Sequence, residues 1–238
     1  GTPVKDATVL IQPDGSAGIS GITDDYGIAK LEIDADVVGR DGVLSVRANG
    51  FGDFTNNVMI TSDELPDTVQ FSGFGPYRIA EFDNCTNTNI LGGQMGGAYN
   101  SPDSLTEDYV QEDGRGCVAK LEFSIREWAA FWQQLQAADF TPYETLSFDI
   151  RADADSNIPD QIKIELKRPG DEIEVIVVSG ITTEWQTITV NLSDFGPTGY
   201  GNRLSSLTGM SELVFVFTSD LSGRSGIVYL DNITLNPR

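Results

Sequence analysis

Four runs in the second half of the chain decide the fold: TLSFDIR at Thr145–Arg151, QIKIELK at Gln161–Lys167, IEVIVVS at Ile173–Ser179 and WQTITVNL at Trp185–Leu192. The first two alternate apolar and polar residues, a period of two that is typical of strands with one buried face. Leu146, Phe148 and Ile150 of the first run are therefore predicted to face a core. Together the runs predict an antiparallel sheet with a polar outer surface.

Charged residues on that polar face form the first candidate site. Asp149 and Arg151 are two residues apart on one run, and Lys163 and Glu165 are two apart on the next, so each pair shares a face. We expect Asp153–Asn157, between the two runs, to be a hairpin turn. The four side chains would then form one patch, which is either plain solvated surface or a binding surface.

One segment has a different periodicity. In Arg126–Ala138 (REWAAFWQQLQAA), apolar side chains recur at helical spacing and predict one short helix. Trp128 and Trp132 either help this helix to cover a core, which the amphipathic pattern favours, or serve as rings that stack on sugars. The remaining apolar runs are short β runs, so the predicted class is all-β, with sandwich domains and one short helix.

Composition excludes several functions. The net charge of −21 disfavours nucleic acid and anionic membrane partners. The sequence contains no run of eighteen apolar residues, so insertion into a membrane is not expected. The chain has no histidine, which rules out catalysis by Ser-His-Asp or Cys-His groups. With 36 acidic residues in the chain, many pairs of carboxylates are expected by chance, so such pairs do not indicate a glycosidase. We expect no catalytic residues.

The two cysteines, Cys85 and Cys117, are predicted to form a disulfide, with two buried free thiols as the alternative. A disulfide is typical of an oxidising compartment, so this pairing favours an extracellular or cell-surface protein.

The chain is predicted to contain two domains, 1–72 and 77–238, joined by a linker that is rich in turn residues at Ser62–Pro76. The first domain has short β runs at Ala7–Ile11, Ile28–Ile33, Val43–Ala48 and Val58–Thr61, with turn signals between them. These runs and turns resemble bacterial immunoglobulin-like or carboxypeptidase-regulatory-like repeats. The resemblance implies a small immunoglobulin-like sandwich that acts as a spacer.

The second domain resembles carbohydrate-binding modules of the galactose-binding-like jelly-roll group. The resemblance is carried by segments that occur in the expected order, namely Glu81–Asp83, Asn89–Gly93, Asp139–Ile150, Trp185–Phe195 and Val228–Ile233. It implies a β-jelly-roll sandwich and a structural calcium between the first and last strands, with Glu81, Asp83 and Asp231 as ligands. The alternative for these acidic residues is that they are solvated carboxylates.

The resemblance also implies a glycan that lies across the polar face. Its ligands would be Asp149, Arg151, Lys163 and Glu165, with the rings of Tyr99 and Tyr229. The predicted function is thus non-catalytic, extracellular binding of a polysaccharide of the β-glucan type. The alternative is a structural subunit of a cell-surface layer or filament, in which Gly1–Lys5 or Phe71–Pro76 pairs with an edge strand of another copy of the protein.

Overall fold

The computed structural model describes residues 2–71 and 73–237, and in these residues the only helical element is a 3-10 turn at Leu192–Asp194. The chain divides into two compact units between Tyr77 and Arg78. No helix in the described ranges is long and apolar enough to cross a bilayer.

The first unit contains one antiparallel sheet of four strands, in the order β2-β1-β3-β4. Its strands are β1 (Thr8–Pro13), β2 (Ile19–Ile22), β3 (Asp41–Arg47) and β4 (Phe54–Met59). Buried residues such as Ile11, Leu44 and Val46 form the core on one face of this sheet. The second sheet of an immunoglobulin-like sandwich is not found among the described residues, so that prediction is not confirmed.

Two segments without strand pairing cover this core. Leu31 and Ile33 pack against it, although the predicted strand Ile28–Ile33 forms no ladder, because alternating burial can be satisfied by packing alone. Leu65 and Val69 pack there too, so the predicted linker Ser62–Pro76 is in large part a layer of the first unit. Asp24 stabilises a turn after β2, because its Oδ1 accepts the N–H groups of Tyr26 and Ile28.

The second unit is a β-sandwich of two six-stranded sheets. We call the sheet with the order β14-β12-β11-β15-β9-β6 the front sheet, and the sheet with the order β13-β10-β16-β8-β7, in which β5 also pairs with β16, the back sheet. The strands are β5 (Tyr77–Ala80), β6 (Met95–Tyr99), β7 (Ser104–Glu112), β8 (Gly116–Ser124), β9 (Trp128–Ala138), β10 (Tyr143–Ala152), β11 (Gln161–Arg168), β12 (Glu172–Ser179), β13 (Gln186–Asn191), β14 (Gly196–Pro197), β15 (Met210–Thr218) and β16 (Ser225–Pro237).

Aromatic side chains join the two sheets. Phe123 of the back sheet stacks on Phe217 of the front sheet with ring centroids 4.5 Å apart, and Phe148 meets Phe215 edge to face at 5.1 Å. The predicted core residues of β10 and β11 lie in this layer, with Leu146, Phe148 and Ile150 fully buried. The predicted all-β jelly-roll sandwich is confirmed.

The prediction of a helix at Arg126–Ala138 is wrong, because Trp128–Ala138 forms strand β9. Its apolar residues fit both periods, since a spacing of four residues returns to the same face of a helix and also of a strand. Phe131 and Leu135 point into the core, while Trp128 and Trp132 point outward. Pairing with β15 on one side and β6 on the other decides for the strand, which aromatic residues also favour.

The predicted disulfide between Cys85 and Cys117 is confirmed, with Cα atoms 5.4 Å apart. Changing both cysteines to serine opens a loop that spans a sequence separation of 32. We expect the free energy of unfolding to fall by about 3–4 kcal/mol, because the unfolded chain gains loop entropy.

Urea unfolding of the wild type and the double variant measures this loss. As a control, wild type treated with a reducing agent should unfold at the midpoint of the variant. The same midpoint for untreated wild type and variant would contradict a stabilising disulfide.

Candidate functional site

A groove of about 800 Å³ lies on the outer face of the front sheet. It follows β15, with β9 on one side and β11 on the other, and these two flanking strands are about 10 Å apart, twice the usual strand spacing. The groove has an apolar floor, an aromatic wall and a charged wall.

The floor consists of Ala130, Val214 and Val216, which are 4%, 2% and 5% exposed. Val214 and Val216 lie on the outer face because β15 alternates them with Leu213, Phe215 and Phe217, which fill the core. Ala130 lies there because β9 alternates it with the buried residues Ala129 and Phe131. Both faces of β15 are thus apolar. β15 is an interior strand between β11 and β9, and the groove accounts for its apolar outer face.

The aromatic wall is formed by Trp128 and Trp132 of β9, which pack against the floor and are partly buried. Four residues of extended strand separate them, a distance of about 13 Å. The ring of Trp132 lies beside Gly96, where a Cβ atom would come within 3.1 Å of Cζ2. Its Nε1–H donates to the carbonyl oxygen of Gly97 at 3.4 Å. Glycine at 96 therefore leaves the space that this indole occupies.

The charged wall is formed by Lys163, Glu165 and Lys167, which alternate outward along β11, and by Tyr200 from the loop after β14. Lys163 Nζ donates to the hydroxyl of Tyr200 at 2.6 Å and lies 3.1 Å from Glu165 Oε1. The Tyr200 hydroxyl donates a short hydrogen bond to the same carboxylate. Lys167 Nζ lies 3.4 Å from Glu165 Oε2 and 3.7 Å from Glu212 Oε2.

These contacts keep Lys163 and Glu165 ionised. Burial alone raises the pKa of Glu165, but hydrogen bonds from Tyr200 and Lys163 and the charges of both lysines hold it below its ordinary value. Burial likewise opposes the charge on Lys163, yet its hydrogen bonds to Tyr200 and Glu165 raise its pKa. The wall therefore presents fixed charged donors and acceptors beside an apolar floor.

The predicted ligand-binding residues are divided between two sheets. Lys163 and Glu165 lie in the groove, whereas Asp149 and Arg151 belong to β10 of the back sheet. The single patch of four residues is thus wrong. The segment that contains Asp153–Asn157 is not a hairpin turn, because it connects strands of different sheets.

Asp149 and Arg151 belong instead to a second cluster, on the outer face of the back sheet. Arg115 Nη1 donates to Asp149 Oδ2 at 2.8 Å and to Asp231 Oδ2 at 3.0 Å. The guanidinium of Arg115 also lies 4.1 Å from the ring centroid of Trp185. The guanidinium of Arg151 lies 3.8 Å from the ring centroid of Tyr229. The members of this cluster bind one another.

Of the two predicted tyrosines, Tyr229 lies in this second cluster and donates its hydroxyl hydrogen to Asp153 Oδ2 at 3.0 Å. Tyr99 is exposed at the end of edge strand β6 and does not line the groove. Trp128 and Trp132 were named from the sequence as possible sugar-stacking rings, but the core role was favoured for them. The other residues that complete the groove were not predicted, namely Tyr200, Glu212, Val214 and Val216. The alternation in β9 could have indicated the tryptophans, but no local signal marks Tyr200.

The three predicted calcium ligands do not form a carboxylate cluster. Glu81 Oε1 lies 3.1 Å from Arg78 Nε, and Asp231 binds Arg115. Among the described residues there is no group of three or more acidic or cysteine side chains placed to hold a metal ion. At Asp231 the nearest cation is the guanidinium of Arg115, whose Nη1 lies 3.0 Å from Oδ2.

Comparison with known proteins places the fold. No protein-family model and no curated protein sequence matches the chain. Among solved structures, it is similar to a family 11 carbohydrate-binding module from Clostridium thermocellum in complex with a β-1,3-1,4-mixed-linked tetrasaccharide, with 19% identity, a TM-score of 0.57 and coverage of 70% of this chain and 98% of that chain. The family 11 module of a cellulosomal cellulase of the same organism matches with 19% identity, a TM-score of 0.56 and coverage of 70% and 97%. At this identity the likeness establishes the jelly-roll fold.

Asp231 provides a test of the second cluster through pH. Burial raises the pKa of Asp231 from 3.8 to about 6, although Arg115 acts in the opposite direction. The stability that this group contributes is therefore full below its unfolded pKa and is lost as pH rises through about 6. In Asp231→Asn this loss is absent. From pH 4 to pH 7 the free energy of unfolding of the variant should therefore rise by on the order of 1 kcal/mol relative to that of wild type.

Urea unfolding of both proteins at several pH values measures this difference. Asp153→Asn is the matched control, since hydrogen bonds from Asp155 N–H and Tyr229 hold the pKa of Asp153 below its ordinary value. The free energy of unfolding of Asp153→Asn relative to wild type should fall as pH rises, the opposite of Asp231→Asn, because the stability from Asp153 is present at high pH and lost as pH falls. If the free energies of unfolding of wild type and Asp231→Asn change with pH in parallel, the pKa of Asp231 is not raised.

Proposed function

We propose that the second unit is a non-catalytic carbohydrate-binding module whose ligand, a neutral polysaccharide of the β-glucan type, lies along β15 in the groove. The observation that carries the proposal is the pairing of a tryptophan wall with a charged wall across an apolar floor. A pyranose ring has apolar C–H faces and hydroxyl-bearing edges, and the groove offers a surface for each.

The tryptophan wall supplies the apolar contact. Indole rings are large, rigid and electron-rich, so the C–H groups of a sugar pack on them with little loss of side-chain freedom. Trp132 is held by Gly96 and Gly97, so its ring is in position before a ligand arrives. Its separation from Trp128 of about 13 Å suits a chain of several linked rings better than a single sugar.

The charged wall supplies the polar contact. Lys163 and Lys167 are donors, Glu165 is an acceptor, and the Tyr200 hydroxyl is both. Hydrogen bonds from hydroxyl groups to charged partners are stronger than those between neutral groups, and they set the orientation of a bound chain. Lys163 and Glu165, two of the residues predicted from the sequence, are therefore retained in the proposed site.

Charge favours a neutral ligand. The groove is lined by two lysines and by four carboxylates, those of Glu127, Glu165, Glu212 and Asp220, which gives a net charge of −2. The whole chain carries −21. Glycans that are rich in carboxylate or sulfate groups would be repelled both at long range and in the groove.

The state of Glu165 supports binding rather than catalysis. A general acid of a glycosidase needs a raised pKa so that it holds a proton at neutral pH. The pKa of Glu165 is instead lowered by Tyr200, Lys163 and Lys167. The carboxylate therefore accepts hydrogen bonds and has no proton to donate.

The proposed location is extracellular or on the cell surface, since the Cys85–Cys117 disulfide is typical of an oxidising compartment. The first unit is proposed to be a spacer. Self-assembly, the alternative function, is not favoured by the segments that were predicted to pair with other copies. Val4 and Phe71 pack in the core of the first unit, and Gly1 and Ser72 of those segments lie outside the described residues.

Trp132→Ala tests the groove. We expect its affinity for a soluble mixed-linkage β-glucan, measured by isothermal titration calorimetry, to fall on the order of tenfold or more, because one stacking surface is lost. Trp132→Phe, which keeps a smaller ring, should lose less.

Arg151→Ala is the matched control. It removes a partly buried side chain from the opposite sheet, so it should lower stability and leave the affinity unchanged. Equal affinities of Trp132→Ala and wild type would move the site out of the groove. If no glucan binds to wild type, the proposed ligand class is wrong.

Calcium bound by Glu81, Asp83 and Asp231 stays a prediction from the resemblance. An ion that binds only the folded state stabilises it by about 2.7 kcal/mol at a hundredfold excess over its Kd. The prediction is therefore that a chelator lowers the melting temperature and that added calcium restores it. If the melting curve is unchanged in chelator, Arg115 is the cation that neutralises Asp231.

A further inference from the structure

Asp103 lies where two connections between the sheets run side by side. The first connection leads from the end of β6 at Tyr99, in the front sheet, to the start of β7 in the back sheet. The second leads from the end of β8 in the back sheet to Trp128, the first residue of β9 in the front sheet. Asp103 belongs to the first connection, and its side chain binds the second.

The carboxylate of Asp103 accepts hydrogen bonds from three consecutive backbone N–H groups. Oδ1 accepts the N–H of Arg126 at 2.8 Å, and Oδ2 accepts those of Glu127 and Trp128, both at 2.9 Å. The residue is only 5% exposed. These bonds, led by the one from Arg126, hold the pKa of Asp103 below its ordinary value, so it remains ionised. Consecutive N–H groups that converge in this way form a strong site for an anionic oxygen.

Trp128 depends on these bonds because it extends beyond its neighbour on one side. On the other side β15 pairs with it, with Thr218 opposite Trp128. The ladder with β6, however, stops at the pair of Tyr99 and Ala129 and does not reach Trp128. The Asp103 carboxylate thus provides the Trp128 N–H with the partner that β6 does not provide. Strand ends without such partners fray more readily than strand centres.

We propose that Asp103 is a positioning residue of the groove, whose carboxylate fixes the backbone at Trp128 and thereby holds the indole in the aromatic wall. The proposal rests on the proposed glycan-binding function for its effect on affinity. Its structural part, the control of Trp128 by Asp103, can be tested without a glycan.

The test is Asp103→Asn. The amide keeps one acceptor oxygen but turns an NH₂ group towards backbone donors, so at least one hydrogen bond to Trp128 or its neighbours is lost. We expect the affinity for soluble mixed-linkage β-glucan to fall by about tenfold. In a Trp128→Ala background the same change should have no further effect, because the side chain that Asp103 positions is already gone. Asp153→Asn, which alters a carboxylate on the opposite sheet, should leave the affinity unchanged.

A second measurement does not need a ligand. In a Trp132→Phe/Trp185→Phe background, Trp128 is the only tryptophan left of three in the chain. Adding Asp103→Asn should shift the fluorescence maximum of Trp128 and increase its quenching by acrylamide. Asp103→Ser, which keeps one oxygen acceptor without amide hydrogens, replaces Asp103→Asn if that variant does not fold, and should act in the same direction.

The outcomes separate the two proposals. Unchanged fluorescence and quenching of Trp128, or an equal loss of affinity with and without Trp128, would overturn the role of Asp103. If wild type binds no glucan but the fluorescence shifts, the proposed function fails and the positioning role stands.

Discussion

The second unit depends on one constraint, the packing of aromatic side chains between its two sheets. Phe123 on Phe217 and Phe148 on Phe215 join the layers. Because residues alternate along a strand, placing Phe215 and Phe217 inside forces Val214 and Val216 outside. Those two side chains and Ala130 would be an exposed apolar patch on most proteins. Here Trp128 and Trp132 pack on them, so the core and the floor of the groove have a single cause.

The two outer faces of the sandwich use charge in different ways. On the back sheet, Arg115 bridges Asp149 and Asp231, and the rings of Trp185 and Tyr229 lie against arginines, so the polar groups satisfy one another. On the front sheet, the charged residues stand along one wall of a groove whose floor offers them no partner. Buried charges are costly unless they are paired, and the bonds among Lys163, Glu165 and Tyr200 meet that cost before any ligand arrives.

Strand parity predicted much of the site but not its assembly. The outward positions of Lys163 and Glu165 and the inward positions of Phe148 and Ile150 follow from a period of two, and all are observed. The helix over Arg126–Ala138 was wrong because a spacing of four residues fits either element. The patch with Asp149 and Arg151 was wrong because the next strand in sequence lies in the other sheet. Parity gives the face of a strand but does not give the sheet to which the strand belongs.

The all-β class, the disulfide between Cys85 and Cys117 and the acidic charge of the chain could be predicted from the residues, and the jelly-roll unit from its resemblance to carbohydrate-binding modules. The first three properties depend on composition and on patterns within single strands, whereas the resemblance rests on the order of segments between Glu81 and Ile233. No sequence pattern predicts that β9, β15 and β11 are neighbours, that Tyr200 reaches Glu165, or that Asp103 binds the start of β9, and these contacts are seen in the folded chain. These contacts join residues far apart in the chain. The free energy that selects them comes from packing two whole sheets together, which no local pattern records.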